Sequence, residues 1–542
     1  MGYRFRGGDL PAQAYLLPPD VRDWLPVRHL AWALLELVAG VDPAPFVSWY
    51  RADGQGRPAY DPAMMVRLIG YCYCKGIRSS RAVEAATFDD LGARVICGNL
   101  HPDHSTIARF LARHEESVKG LLVSSVTACA REGLVSVDVT AGDGTKVAAS
   151  ASVSSNATAE QLAAQIAGLE QLIAAEVEAW VAATRAADAD DDEAAGSAGE
   201  RHRDQPPPGQ GALFGGGPGV GAGGLSGLAL AKAADKLARR RKAKDKPGDE
   251  AARRQRDAQA AREQKITRLA GQAARTQAKA DALAGRADAR LAAWQAKARR
   301  PSGLQPLPAG RNAHVARARQ VAERSAAALE AAIAAPLVVP EPDKPPRASA
   351  TDPAARPMPL KHGGYDMCHN IQALACPSQV ILAITRHDSP NDTSALHPLL
   401  AAARANLDAA GIGEPIGTAL SGAGYASDDN FSAACQPDLY VAVTREARQT
   451  GRLADGKKLS TRKHSRAQMA ARLATPAGKD LYKQRAGIIE PVFAQLFSRL
   501  GRNLNYRDGK TDLELHLWAA THNWLKAIRA RQRPAATAAA AA

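Results

Sequence analysis

Chemistry needs an acid, a base or a nucleophile on a rigid support, and the first candidate in this chain is Asp143. It stands in the run Val135-Ser-Val-Asp-Val-Thr-Ala-Gly-Asp-Gly-Thr-Lys146. The alternating Val135, Val137 and Val139 predict a short strand, and Gly142-Asp143-Gly144 predicts its end in a glycine turn. A strand-end carboxylate of this kind can hold a divalent metal, because hard cations such as Mg²⁺ or Mn²⁺ take oxygen ligands. Asp-Gly is first of all a turn dipeptide, so a plain turn is the default reading of this stretch alone. The second candidate acid is Glu490, in Ile489-Glu490-Pro491-Val492-Phe493. Surface glutamates are common, and only the motif around this one singles it out. Proline lacks the N–H donor, so Pro491 predicts a kink or a helix start there.

The other chemically informative side chains are basic. A helix is predicted from Thr106 toward Ala130, capped by Asp103-His-Ser105. Ile107, Phe110, Leu111, His114 and Val118 share one face of it, leaving Arg109 and Arg113 outward on another. Two readings fit that pattern: a helix-turn-helix variant offering arginines to DNA, and a helical bundle with a solvated charged face.

Composition bounds the possibilities. At 542 residues the chain has room for two or three domains, although only 5% of it is aromatic and not all of it can build core. Seventy Lys and Arg against 55 Asp and Glu give a net charge of +15, which suits a polyanionic partner. Between Lys232 and Arg300 stand 21 basic and 8 acidic residues, so most of the excess is local. Local charge is what counterion release on nucleic acid rewards. Seven cysteines without a paired C-x₂-C motif point to a reducing compartment and away from a zinc site or disulfide framework. Cys72-Tyr-Cys74 lies in an apolar run and reads as core packing. No apolar run of roughly 18 residues occurs, so the expectation is a cytoplasmic, soluble protein with no membrane partner.

Four stretches must position the candidates. Residues 1–130 read as a helical domain. From Asn156 the composition turns to alanine, and 157–345 read as a helical insert with a flexible linker at 206–224 and a basic arm from about 228 to 300, interrupted at Pro247-Gly248. Such an arm buries little, and a solvated face is its default reading beside nucleic-acid contact. Residues 131–156 and 346–532 read as an α/β core. In it, 365–375 and 379–385 form a hairpin, 393–410 a helix, 416–420 and 438–444 strands, and 478–500 and 511–531 helices. The tail at 533–542 is expected to be disordered.

Several motifs come in one order: Tyr60-Asp-Pro, Gly76-Ile-Arg-Ser-Ser-Arg81, Pro102-Asp-His-Ser-Thr-Ile-Ala-Arg-Phe110, Asp143-Gly-Thr-Lys-Val, Asp352-Pro353, Asn391-Asp392, Gly424-Tyr425 and the Glu490 motif. In them the chain resembles bacterial insertion-sequence transposases of the DDE class, over most of its length outside the insert. The resemblance implies an α+β chain: an N-terminal helical DNA-binding domain, then an RNase H-like catalytic core interrupted by the Ala-rich insert. It implies Asp143 and Glu490 as catalytic and metal-holding acids for Mg²⁺ or Mn²⁺. Lys146 and Arg485 become candidates for phosphate, Lys as a point charge and Arg as a fork. DNA, as terminal inverted repeats and target, is the implied partner, with a homo-oligomer assembled on it.

Two departures matter. Where the family carries its second catalytic Asp, before Ala-Gly-Tyr, the chain reads Ser421-Gly422-Ala423-Gly424-Tyr425, and Phe497 stands where relatives carry a Lys. Asp428 and Asp429 are the nearest substitutes, but Ser427-Asp-Asp-Asn reads better as a helix cap. Three functions remain open: a transposase that cuts and joins DNA, a DNA-binding remnant with a broken metal site, and a basic coiled-coil protein that binds nucleic acid without specificity.

Overall fold

The computed structural model describes residues 23–50, 59–197, 227–296, 304–341, 346–359, 363–432, 437–443 and 464–532. The linker expected at 206–224 and the tail at 533–542 lie outside the described residues. About 63% of the described residues are helical and one sheet is mixed, so the fold is α+β. Two compact units divide it, one of residues 1–156 with 349–542 and the other of 157–348.

The first unit begins with short helices: α1 (Leu30–Val38), α2 (Ala44–Val47), α3 (Pro62–Cys74), α4 (Ser80–Asp89), α5 (Leu91–Ile96), α6 (His104–Arg113), α7 (Glu115–Lys119) and α8 (Leu121–Arg131). Side-chain caps start several of them, Asp61 accepting from Ala63 N and Asp103 from Ser105 N and Thr106 N. The single helix expected from Thr106 to Ala130 is therefore three. His114 leaves helical geometry at φ −106°, ψ 31°, and Gly120 precedes α8. The apolar face survives both breaks, since Ile107, Phe110, Leu111, His114 and Val118 are all buried.

The sheet consists of β1 (Val139–Ala148), β4 (Arg356–Pro359), β5 (Tyr365–Ala375), β6 (Ile381–His387), β7 (Thr418–Ser421) and β8 (Asp438–Val441), with β2 (Asn156–Thr158) and β3 (Arg347–Ser349) pairing separately. From β6 the order runs β6-β5-β1-β7-β8, and β4 extends the same edge of β5 beyond β6. β5 is antiparallel to β1, whereas β7 is parallel to β1 and β8 to β7. The strand carrying Asp143 does not end in a turn at Gly142-Asp143-Gly144, as its sequence suggests. It continues to Ala148 because the long β5 stays paired with it, Asp143 opposite Ala373 and Gly144 opposite Gln372. What ends is the other neighbour, for β7 pairs only as far as Gly142 opposite Ser421.

Helix α12 (Leu396–Ala409) packs on β5 and β6. After α13 (Asp428–Ser432) and α14 (His464–Ala474) comes α15 (Pro476–Leu500), which packs on β1, β5 and β7. Pro491 lies inside α15 rather than starting it. The last helix, α16 (Lys510–Arg531), buries Trp518 and Trp524 and packs on α8, α7, α3 and β6. Helices of residues 23–131 and the sheet thus share one core.

The motif at Gly76 proves to hold that core together. Gly76 has φ +82°, and a Cβ on it would come within 2.6 Å of Arg499 O, so the chain needs glycine there. Arg78 then reaches Glu514 on α16 at 3.1 Å, with the Glu side chain wholly buried, and donates to Asn503 O at 2.7 Å. Glu514 also accepts from Asn505 N and Tyr506 N. A second buried pair joins His369 on β5 to Asp352 at 2.9 Å. Asp352 Oδ1 accepts from Asp508 N and Ala354 N.

The second unit contains α9 (Ala159–Ser197), α10 (Gly227–Gln295) and α11 (Ala313–Ala334). α10 runs unbroken past Pro247-Gly248, where an interruption is expected from sequence. Packing against α9 and α11 along its length outweighs the local breakers. The packing uses small side chains, Ala233, Ala243, Ala280 and Ala287 being buried, which lets helices approach closely with little apolar bulk. Among the described residues no helix is long and apolar enough to cross a membrane.

Candidate active site

Because β7 stops at Ser421 while β1 continues, Asp143 sits beside the point where the parallel neighbour turns away. Gly422 occupies that turning point in extended geometry, φ −73° and ψ 173°. A Cβ built on it would lie 3.7 Å from Asp143 Oδ1 and 3.9 Å from Arg485 Nη1, with nothing closer. Space and direction for a side chain toward Asp143 are therefore present, and the side chain is not.

Helix α15 supplies the opposite wall. Ile489, Val492 and Leu496 are buried and fix its rotation, so Arg485 faces Asp143, with Glu490 beside Arg485. Arg485 Nη1 donates to Asp143 Oδ2 at 3.2 Å, and its Nη2 donates to Glu490 Oε1 at 3.3 Å. The guanidinium thus bridges the two acids. Its side chain is 12% exposed, against 31% for Asp143 and 60% for Glu490. Burial pushes the Asp143 carboxyl above its usual value; Arg485 and the Gly144 N–H oppose that rise, while nearby Asp392 adds to it. Burial works against the Arg485 charge as well, but the facing acids, Asp143 first, hold its pKa above the usual value.

Asp392, which the sequence marks only as part of the Asn391-Asp392 motif, takes a definite place here. It precedes α12, and its Oδ1 accepts from Asn370 Nδ2 at 2.7 Å and from Gln372 Nε2 at 2.8 Å. Tyr425 completes the group by donating to Gln372 Oε1. Burial, then the charges of Asp143 and Asp392, hold the Tyr425 phenol well above its usual value. The cluster lies under Gly144, where a Cβ would stand 2.5 Å from Gln372 Nε2 and 2.9 Å from Asp392 Oδ1. Glycine at 144 is thus a requirement of close approach, and the network fixes the strand next to Asp143. A signal was available: Asn370 and Gln372 stand two apart, on one face of a strand whose neighbouring residues Ile371, Ala373 and Leu374 are apolar, and buried amides need partners.

Lys146 does not join Asp143. Three residues along a strand put it on the opposite face, in register with Asn370. Asp429 is exposed in the first turn of α13, and Ser427 Oγ caps that helix by accepting from Asn430 N at 3.2 Å. Arg109 and Arg113 are exposed one turn apart on α6. Arg109 is tied to its own helix, donating to Ser105 O at 3.3 Å and Thr106 Oγ1 at 3.2 Å.

A two-ion centre needs three converging carboxylates or their equivalent. Among the described residues no group of three or more His, Cys, Asp and Glu comes together in a way that could hold a metal. The two acids that do approach share one guanidinium instead. These residues as they stand do not fit a pair of divalent cations.

Residues 19–113, which include α1 to α6 and both arginines, match the family model described as Transposase domain (DUF772). No curated protein and no solved structure matches the chain.

Proposed function

Taking as premise that this is a transposase-family protein, we propose that it binds the ends of a mobile element and carries a DDE-type cutting centre lacking one carboxylate. DNA is its partner, through Arg109 and Arg113 on α6, in the cytoplasm and as an oligomer on the element ends. The strand order β6-β5-β1-β7-β8, with an acid on the central β1, supports an RNase H-like core. The observation that carries the proposal is the direction of Gly422 toward Asp143.

The natural site has one acid in excess of its single cation. Arg485 offers one cation to two acids, one of them largely exposed. An Asp at 422 would bring a third carboxylate against Asp143. Three acids around one guanidinium exceed its charge, and a hard divalent cation is the partner such an oxygen set takes. Binding without cutting is therefore the natural state, and Phe497 in place of a Lys removes a further cation from the DNA side of the site.

Nicking of DNA carrying the element ends, in Mg²⁺ or Mn²⁺, tests this with three proteins. The natural chain should nick poorly or not at all, Gly422→Asp should nick in a metal-dependent way, and Gly422→Asp with Asp143→Ala should be silent again. A natural chain that cleaves well, and loses that activity on Asp428→Ala or Asp429→Ala, would show that the missing ligand has moved and that the centre is intact.

A further inference from the structure

On α10 the charges are sorted by side, and only one side is answered. From Ile266 to Ala287 the helix turns Ile266, Leu269, Ala273, Thr276, Ala280, Leu283 and Ala287 inward at alternating three- and four-residue steps, every one half-buried or buried. Val315 of α11 and Ala309 pack against the end of this stripe. Farther along, Arg262 donates to Ile333 O at 2.7 Å. Flanking the stripe on one side are Lys265, Arg268, Arg275, Lys279 and Arg286, all exposed. On the other side stand the acids Glu263, Asp281 and Asp288.

The acids are engaged locally: Glu263 accepts from Gln259, Asp281 from Gln277 and Asp288 from Ala309 N. Among the described residues these five cations have no carboxylate partner. Arg275 and Arg286 donate to carbonyls of their own helix, Gly271 O at 2.9 Å and Ala282 O at 3.1 Å. The first half of the same helix differs, for there Arg239 pairs with Asp235 and Arg241 with Glu170 of α9.

We propose that the Lys265, Arg268, Arg275, Lys279 and Arg286 flank of α10 is a docking surface for the phosphate backbone of duplex DNA, independent of sequence. The row is straight and about 32 Å long at 1.5 Å per residue, which is close to one turn of B-DNA. Continuous charge at that scale is a property of a duplex, which carries one negative charge about every 1.7 Å of its axis. The residues between the cations on this flank are Gly271, Gln272 and Ala282. A membrane-surface helix needs large apolar anchors beside its cations, and this flank has none. The choice of DNA as the polyanion rests on the transposase reading. It gives the insert a function of its own: nonspecific grip on the duplex, beside specific recognition elsewhere.

The experiment uses the full chain and a variant with Lys265→Gln, Arg268→Gln, Arg275→Gln, Lys279→Gln and Arg286→Gln together. Glutamine keeps helix propensity, and an unchanged circular dichroism spectrum and melting temperature would show that the arm is intact. Affinity for a duplex of arbitrary sequence is measured across a salt series by fluorescence anisotropy. The variant should lose at least tenfold in affinity at low salt, and its plot of log K against log salt should flatten by about 3 to 4.5, near 0.9 for each phosphate no longer neutralised. A control with Glu263→Gln and Asp281→Asn should bind at least as tightly as the natural chain. Equal affinity and slope in the natural chain and the five-fold variant would overturn the proposal. So would tight binding of the natural chain to phosphatidylserine vesicles that the five substitutions abolish while DNA binding stays. Failure of the natural chain to bind any duplex would sink the transposase reading itself, a different result from equal binding by both proteins.

Discussion

Two sets of cations in this molecule meet opposite fates. In the core, Arg78 and Arg485 are each answered by an acid from a distant part of the sequence, Arg78 by Glu514 and Arg485 by Asp143, with Glu490 of the same helix beside it. On the outer flank of α10 five cations are answered by no acid among the described residues. The difference teaches how to read basic residues here: where carboxylates converge, the charge is structural, and where they are kept to the other side of the helix, it is left over for an outside partner. The contrast also bears on Asp143. Its arginine partner bridges it to a second acid, so among the described residues the charge of Arg485 is likewise answered from within.

That contrast can be broken most forcefully at Glu514. Glu514→Ala leaves Arg78 without its acid and the N–H groups of Asn505 and Tyr506 without their acceptor. Removing one member of a buried pair costs about 3 to 5 kcal/mol, to be read from urea unfolding. A loss below about 1 kcal/mol would mean the pair is incidental, and the distinction between answered and unanswered cations would lose its energetic meaning.

The next effect is pH-dependent and sits at Asp352. Burial raises its carboxyl, but the hydrogen bond and charge of His369, with the N–H groups of Asp508 and Ala354, outweigh this and leave the pKa lowered. The folded state therefore binds a proton less readily than the unfolded one. This contribution is present above the unfolded value of about 3.9 and is lost as pH falls through the lower folded value. Asp352→Asn should cost about 1.5 to 3 kcal/mol at neutral pH and should flatten the decline in stability measured below pH 4. An equally steep decline in the variant would place the acid sensitivity elsewhere.

The smallest effect is expected at Arg485. Its acids are partly exposed and screened, so Arg485→Met should cost about 1 kcal/mol or less. Its sharper readout is the Asp143 carboxyl, already held high by burial; without the guanidinium beside it, its titration should move further up. A downward or absent shift in the carboxyl carbon resonance titration would show that Arg485 does not hold the two acids.

How much of this could be read from the sequence differs by element. The helical insert, the hairpin of β5 and β6, and the burial of Ile107, Phe110 and Leu111 follow from periodicity that side chains impose locally. The convergence of Asp143, Arg485 and Glu490 does not, since a strand and a helix more than three hundred residues apart have no local signal in common; only the motif resemblance named them together. Three expectations failed for tertiary reasons. β1 outlasts its glycines because β5 stays paired with it, α10 outlasts Pro247-Gly248 because two helices lie along it, and the helix expected over 106–130 breaks where His114 turns inward to be buried. Asp392 stands in a motif legible in the sequence, but its role as a hydrogen-bond acceptor is not, because that depends on Asn370 and Gln372 of another element.

The pairing of Ala148 with Cys368 across the whole insert has a consequence for synthesis. A ribosome adding about 5 to 20 residues per second needs on the order of ten to forty seconds to make the stretch between β1 and β5. During that interval the nascent β1 has an open edge, the kind that pairs with stray strands. Gly142 and Gly144 give that edge little side-chain surface to reward a wrong partner, and glycine weakens strand pairing generally. The short β2 and β3, which pair with each other at the two ends of the insert, then bring the returning chain back to where β5 must join.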